Sequence, residues 1–143
     1  MKYLHLFTTK MFNDITLQVA KEVKKVVYGF VVVHSFHTTA GVRVIENEKY
    51  LRKDIQIWLS ANMPSNAEYF HDQIHKRKVP TNERKNAYSH IRHLVGNTSE
   101  IIPVIGGKLQ LGRWQRIIFL EFDIGRPRKV GIYDYENHRP VKK

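Results

Sequence analysis

Residues 30–48 read FVVVHSFHTTAGVRVIENE, and the reading of the rest of the chain follows from them. Phe30 to Phe36 is apolar and β-branched, the composition of a buried strand. The run passes into His37-Thr38-Thr39, a glycine at Gly41 that we read as a turn, a second short strand, and Asn47-Glu48. A core strand requires only the valines. An imidazole, two hydroxyls, an amide and a carboxylate at its mouth point to a site.

On either side of this stretch the pattern is mixed. Lys2 to Thr8 reads as an edge-type strand. Thr16 is a candidate N-cap for a helix whose apolar stripe is Val19, Val23 and Val27, closed by Gly29 as its C′ residue. A second helix is expected from about Tyr50 to Asn62, with Leu51, Ile55, Trp58 and Leu59 on its apolar face and Pro64 as its stop. Ser65 to Lys85 has no clean period and reads as a long loop. Asn86 to Leu94 forms a short helix ended by Gly96. The remainder turns to strands: Ile101 to Ile105, a hairpin turn at Gly106-Gly107, Lys108 to Leu111, a central strand at Arg116 to Asp123, and Arg128 to Tyr135. The tail from Glu136 onward should be loose. The class expected is α+β, one domain over residues 1–143, with a twisted, mostly antiparallel, barrel-like sheet or sandwich and helices packed outside.

Composition narrows the chemistry. The chain has 143 residues, 42% of them hydrophobic, enough for a real core. It has no cysteine, which removes disulfides, thiolate zinc sites and cysteine nucleophiles. No apolar run approaches the ~20 residues of a membrane span, and no signal peptide is evident, so a cytoplasmic location is expected. Lysine and arginine number 24 against 13 acidic residues, a net charge of +11. That favours anionic partners, either phosphorylated small molecules or nucleic acid.

The candidate site residues are polar pocket types. His37 sits just past the buried strand, and Thr38 and Thr39 are donors suited to phosphate or carboxylate. Gly41 would let backbone approach a ligand. His71 is followed by Asp72, which could orient an imidazole. Asn86 and His90 are spaced i, i+4 and share a helix face, with His93 three residues on. Glu121 lies in RIIFLEFD, where a carboxylate is expensive to bury unless Arg113, Arg116 or a cation pairs with it. Trp114 could stack on a flat heterocycle or fill the core. Lys76, Arg77, Lys78, Arg84, Lys85 and Arg92 make the stretch between His71 and His93 basic, and Tyr69, Phe70 and Tyr88 could stack bases there. No Walker loop or dinucleotide fingerprint is present.

Together, His37-Thr38-Thr39-Ala40, Asn47-Glu48, His71-Asp72, Ser89-His90-Ile91, Leu111-Gly112 with Trp114-Gln115, and Glu121 resemble the YjbQ-like family. Arg113 and Arg116 stand where that family usually has a small residue and often a glycine. The resemblance implies a compact α+β fold and a homotrimer. It also implies a metal site formed by His37, His71, His90 and Glu121, holding a divalent ion, Zn²⁺ or Mg²⁺. His37, His90 and Glu121 would be catalytic, with Thr38, Thr39, Asn47, Glu48, Asn86, Trp114 and Gln115 binding substrate. The family is often labelled secondary thiamine-phosphate synthase, so the implied activity joins a pyrimidine diphosphate to a thiazole phosphate. The alternatives are a metal-dependent hydrolase of a phosphorylated small molecule and, less favoured, a nucleic-acid-binding protein using the basic loop. A histidine-rich site prefers a transition metal to Mg²⁺.

Overall fold

The computed structural model describes residues 2–137. The elements in order are β1 (Lys2–Thr8), β2 (Phe12–Asp14), α1 (Thr16–Glu22), β3 (Tyr28–Ser35), β4 (Ala40–Glu46), α2 (Lys49–Asn62), α3 (Ala87–Arg92), β5 (Ser99–Ile105), β6 (Lys108–Leu109), β7 (Gln115–Glu121) and β8 (Arg126–Glu136). They form two sheets, one of five strands in the order β1-β8-β3-β5-β6 and one of three in the order β2-β7-β4. Every pairing is antiparallel. The architecture is α+β, with a curled half-barrel of antiparallel strands, as the sequence led us to expect.

Strand alternation assigns each side chain to a layer. Val31 and Val33 of β3, Ile102 and Val104 of β5, and Val130 and Ile132 of β8 point into the space between the sheets. There they meet Ala40 and Val42 of β4 and Ile117 and Phe119 of β7. Val19 and Val23 join this core. On β7 the intervening residues, Ile118 and Leu120, face the other way and pack with Phe12, Phe122 and Leu59 of α2. The three-stranded sheet is therefore buried on both faces, which explains the continuous apolar run that marked β7 in the sequence.

Several local expectations change. The first helix stops at Glu22, so Val27 leaves the stripe and is 69% exposed, while Val26 enters the core. Thr16 is not its cap; Asp14 Oδ1 accepts from the Thr16 amide at 2.9 Å. Gly29 lies inside β3, paired with Glu136 and Val104. Gly41 lies inside β4, and the chain reverses at Thr38-Thr39 instead. A Cβ at Gly41 would stand 2.9 Å from the Asn97 carbonyl, so the backbone it admits is the chain's own and not a ligand's. Of the second helix's expected face, only Leu59 is buried. The long loop contains two 3₁₀ turns, Phe70–Asp72 and Ile74–Lys76. Strand β8 runs on to Glu136, and the rest of the expected tail, 138–143, lies outside the described residues. Among the described residues no helix is long and apolar enough to cross a membrane.

Phe119 is fully buried between the sheets. Phe119→Ala is expected to cost about 3–5 kcal/mol of stability, read by denaturant unfolding. A loss under about 1 kcal/mol would contradict the two-layer core.

Candidate functional site

At one end of the sandwich the apolar core gives way to charge. Glu121 ends β7 on the same face as Ile117 and Phe119, and is fully buried. Opposite it, Arg128 of β8 points inward, on the same side as Val130 and Ile132. The two side chains meet in a bidentate pair, Arg128 Nε to Oε2 at 2.5 Å and Nη2 to Oε1 at 2.6 Å. Thr8 Oγ1 donates to Oε2 at 2.6 Å, and the Asp123 amide donates to Oε1 at 2.7 Å. Each carboxylate oxygen thus has two donors. The partner of Glu121 is neither Arg113 nor Arg116 but an arginine seven residues downstream. Arg128 also donates to Thr39 Oγ1 at 3.0 Å, tying the turn after β3 to the pair.

Next to this pair lies Asp123, itself almost fully buried. Asn86 Nδ2 donates to its Oδ2 at 2.9 Å, and Arg126 Nη1 does so at 3.0 Å. Arg84 Nη2 lies 2.6 Å from Oδ1 as an ion pair, off the direction a hydrogen bond would need. Asparagine and the two guanidinium groups outweigh burial and hold the Asp123 carboxyl below its usual range. Arg84 and Arg126 remain about half exposed, so each keeps N–H groups for another anion.

The histidines divide into two positions. His71 and His90 pack together, ring centroids 4.8 Å apart. His90 hydrogen-bonds the Thr38 backbone and feels the charges of His71 and Asp123. Burial, then the neighbouring His71, pushes its pKa down, so its ring is neutral at pH 7. His37 stands apart from them: its Nε2 accepts from the Lys129 amide at 2.8 Å. Burial and the Arg128 charge lower its pKa as well. An Nε2 used as acceptor leaves the proton on Nδ1. Asp72 orients no imidazole here; its Oδ1 accepts from the Ala87 amide at 3.0 Å and caps α3. Arg77 holds the His71 carbonyl at 2.8 Å.

Both oxygens of Glu121 are filled by donors and His37 Nε2 is engaged, which leaves His71 and the one ring nitrogen of His90 not bonded to Thr38. Among the described residues no three His, Asp or Glu side chains group to hold an ion. This donor set does not fit a four-ligand centre of His37, His71, His90 and Glu121.

The remaining expected residues lie elsewhere. Register places Ala40 opposite Glu121 at one end of the β4–β7 pair and Glu46 opposite Gln115 at the other. Six residues of strand separate the two ends, about 20 Å. At the far end Glu48 caps α2, accepting from Tyr50 and Leu51 amides at 2.8 Å. Asn47 bridges Asp14 and Arg52. Gln115 Oε1 accepts from the Gly112 amide. Trp114 neither fills the core nor reaches the histidines; it is 60% exposed with Arg113 over its ring. Sequence reasoning missed Thr8, Asp123, Arg126 and Arg128, and named Arg84 only as one of the loop cations and not as a partner of Asp123. The available signal was Arg128 itself, an arginine at an inward position of a strand that otherwise buries Val130 and Ile132.

Glu121→Ala strands the Arg128 charge and is expected to cost about 3–5 kcal/mol, whereas replacing both partners by apolar residues of similar volume is expected to recover most of it. Equal losses in the single and double variants, by denaturant unfolding, would refute a paired origin. His37, His90 and His93 all have depressed pKa values, so the unfolded chain binds more protons just below the ordinary value of 6.5. Stability from these groups is full above about pH 6.5 and falls as pH drops through their folded values. The thermal midpoint is therefore expected to decline from about pH 7.5 to about pH 5.5; a flat or rising profile would contradict their burial as neutral rings.

Known proteins match along this whole framework. A profile described as UPF0047 protein YjbQ-like covers residues 3–135. A UPF0047 protein of Archaeoglobus fulgidus is 38% identical over 117 residues, 82% of this chain and 85% of the relative. One from Methanothermobacter thermautotrophicus is 36% identical, covering 73% of this chain and 66% of the relative. Among solved structures, an uncharacterised YjbQ/UPF0047 protein of Clostridium acetobutylicum superposes with a TM-score of 0.80 at 33% identity, covering 93% of this chain and 98% of that one. A hypothetical protein of Aeropyrum pernix also gives 0.80, at 30% identity, covering 96% and 100%. A related structure from Sulfolobus solfataricus is described as of unknown function. With sequence profile, relatives and fold in agreement, the chain belongs to the UPF0047 YjbQ-like family.

Proposed function

We propose that the protein is an enzyme acting on a phosphorylated or diphosphorylated small molecule, with His71 and His90 as its acid–base pair and Arg84 and Arg126 as its anion grip. The observation that carries this reading is the contact between the His71 and His90 rings, 4.8 Å between centroids, electrostatically coupled to the Asp123 carboxylate that gathers the two guanidinium groups. A neutral imidazole at pH 7 can take a proton, and a second imidazole beside it can return one. Half-exposed arginines on a buried carboxylate are pre-positioned to accept phosphate oxygens in bidentate fashion.

Two reactions fit that arrangement. In the condensation named for the family, a thiazole ring nitrogen attacks a pyrimidine methylene carbon, the carbon–oxygen bond breaks, and diphosphate leaves with the electron pair. The arginines would offset the charge gathering on that leaving group. In hydrolysis of a phosphate ester, His90 would remove a proton from water while its neighbour protonates the departing alkoxide. The condensation needs no proton taken from water and makes less use of a histidine pair, so the pair favours hydrolysis or a related transfer.

Pyrophosphate binding by calorimetry tests the grip directly. Arg84→Gln and Arg126→Gln are each expected to weaken it about tenfold, and no change in either would remove the proposed anion site. In turnover assays with both substrate classes, His90→Ala is expected to lower kcat by about 10²–10⁴-fold. Activity should fall as pH drops below about 6.5, as the depressed His90 becomes protonated and can no longer take a proton. A rate indifferent to His90→Ala would overturn its role.

A further inference from the structure

Helix α2 lies over the outer face of the three-stranded sheet, and Leu59 is its one fully seated side chain there. Its other apolar residues stop short of burial: Ile55 is half-buried and Trp58 is 52% exposed. Between helix and sheet is a hollow of about 220 Å³. Ile45 of β4 and Leu120 of β7 floor it, and Ile55 and Trp58 wall it. Strand alternation puts this hollow on the other side of β7 from Glu121 and Arg128, so no residue of the histidine pair or the anion grip lines it.

Arg43 is the single charged residue lining the hollow. It stands two residues before Ile45 on β4 and directly opposite Ile118 of β7, so it shares the apolar outer face of the sheet. The residue is half-buried, and among the described residues its guanidinium has no hydrogen-bond or ion-pair partner. The carboxylates around it are engaged or turned away. Asp14, in line with Arg43 across β2 and β7, accepts from the Thr16 amide and from Asn47. Glu48 caps α2. Glu46 alternates onto the other face of β4. Asp54, the one acidic residue of α2, forms no ion pair with it.

We propose that this hollow binds a small apolar monocarboxylate, with the carboxylate held by Arg43 and the apolar body seated between Ile45, Ile55 and Trp58. Charge complementarity selects the occupant. A carboxylate matches the guanidinium fork in bidentate fashion and supplies the counter-charge that the protein does not. The ligand must also bring an apolar body. Inorganic phosphate would meet one cation and leave the walls wet, while a neutral hydrocarbon would cover the guanidinium without pairing it, the cost of an unpaired buried ion. Size sets the rest. The hollow holds about seven groups at the roughly 30 Å³ that one water occupies, which fits an acyl chain of about six to eight carbons or a single aromatic ring on a short arm. The Trp58 ring offers either of them a rigid flat wall.

Trp58 and Trp114 are the only tryptophans, so Trp114→Phe makes the fluorescence of Trp58 a direct report on the hollow. Octanoate is expected to saturate that signal, and calorimetry on the unaltered protein to give the same affinity. Each methylene removed from the chain should weaken binding about fourfold. Arg43→Gln is expected to weaken octanoate about 10- to 100-fold and to leave 1-octanol unaffected. Arg43→Lys, which keeps the charge but loses the fork, should fall between. Trp58→Ala, read by calorimetry, should weaken both ligands. His90→Ala should leave octanoate binding unchanged, which separates this outcome from the fate of the enzymatic reading. Four results would overturn the proposal: no saturable octanoate binding, equal affinity in the folded Arg43→Gln variant, acetate bound as tightly as octanoate, which would mean a bare surface cation, or a Trp58→Ala variant that binds octanoate unchanged but sediments as a smaller species, which would mean that a second copy covers the hollow.

Discussion

The buried pair between Glu121 and Arg128 is the constraint on which the charged end of the molecule depends. It joins the two sheets where the apolar core ends, and it does so with every lone pair of the carboxylate filled. Such a pair adds little net stability over a packed apolar alternative, because desolvating both ions offsets most of their attraction. What it contributes is position. Arg128 holds Thr39, and the Thr39 carbonyl receives the Phe122 amide at 3.1 Å. The adjoining Thr38 backbone in turn meets His90. The histidine pair is thus registered to the sheets through a chain of short polar contacts.

The same geometry divides the polar residues into those that build and those that remain available. Glu121, Thr39, Asp72, Glu48, Asn47 and Gln115 all spend their side chains on the protein itself. His71, the ring nitrogen of His90 not bonded to Thr38, and the outer edges of Arg84 and Arg126 do not. A chemical group that is structurally engaged can still matter to function through what it positions.

The layered α+β fold was legible in the sequence because its signals are local: a β-branched run at Phe30–Phe36, an apolar strand at β7, and a proline stop after α2. The first helix was misjudged because three valines at i, i+4, i+8 fit a longer helix than the chain forms; β3 recruits Gly29 into its ladder instead. At the site, each residue type was visible but its partner was not. Glu121 announced itself as a buried carboxylate in need of a counter-charge. Finding Arg128 requires knowing that β8 lies in the other sheet and that its even-numbered residues turn inward. The separation of Trp114 and Gln115 from the histidines likewise follows only from strand register, which one sequence does not display.

The segment between His71 and Asn86 is fastened at both of its ends. Asp72 grips the Ala87 amide, Arg77 grips the His71 carbonyl, and Arg84 reaches Asp123. Strain or change in the middle of that excursion is absorbed before it reaches the imidazoles. Residues 78–82 are therefore where a change in length or composition leaves both fastened ends, and the rings beside them, in place.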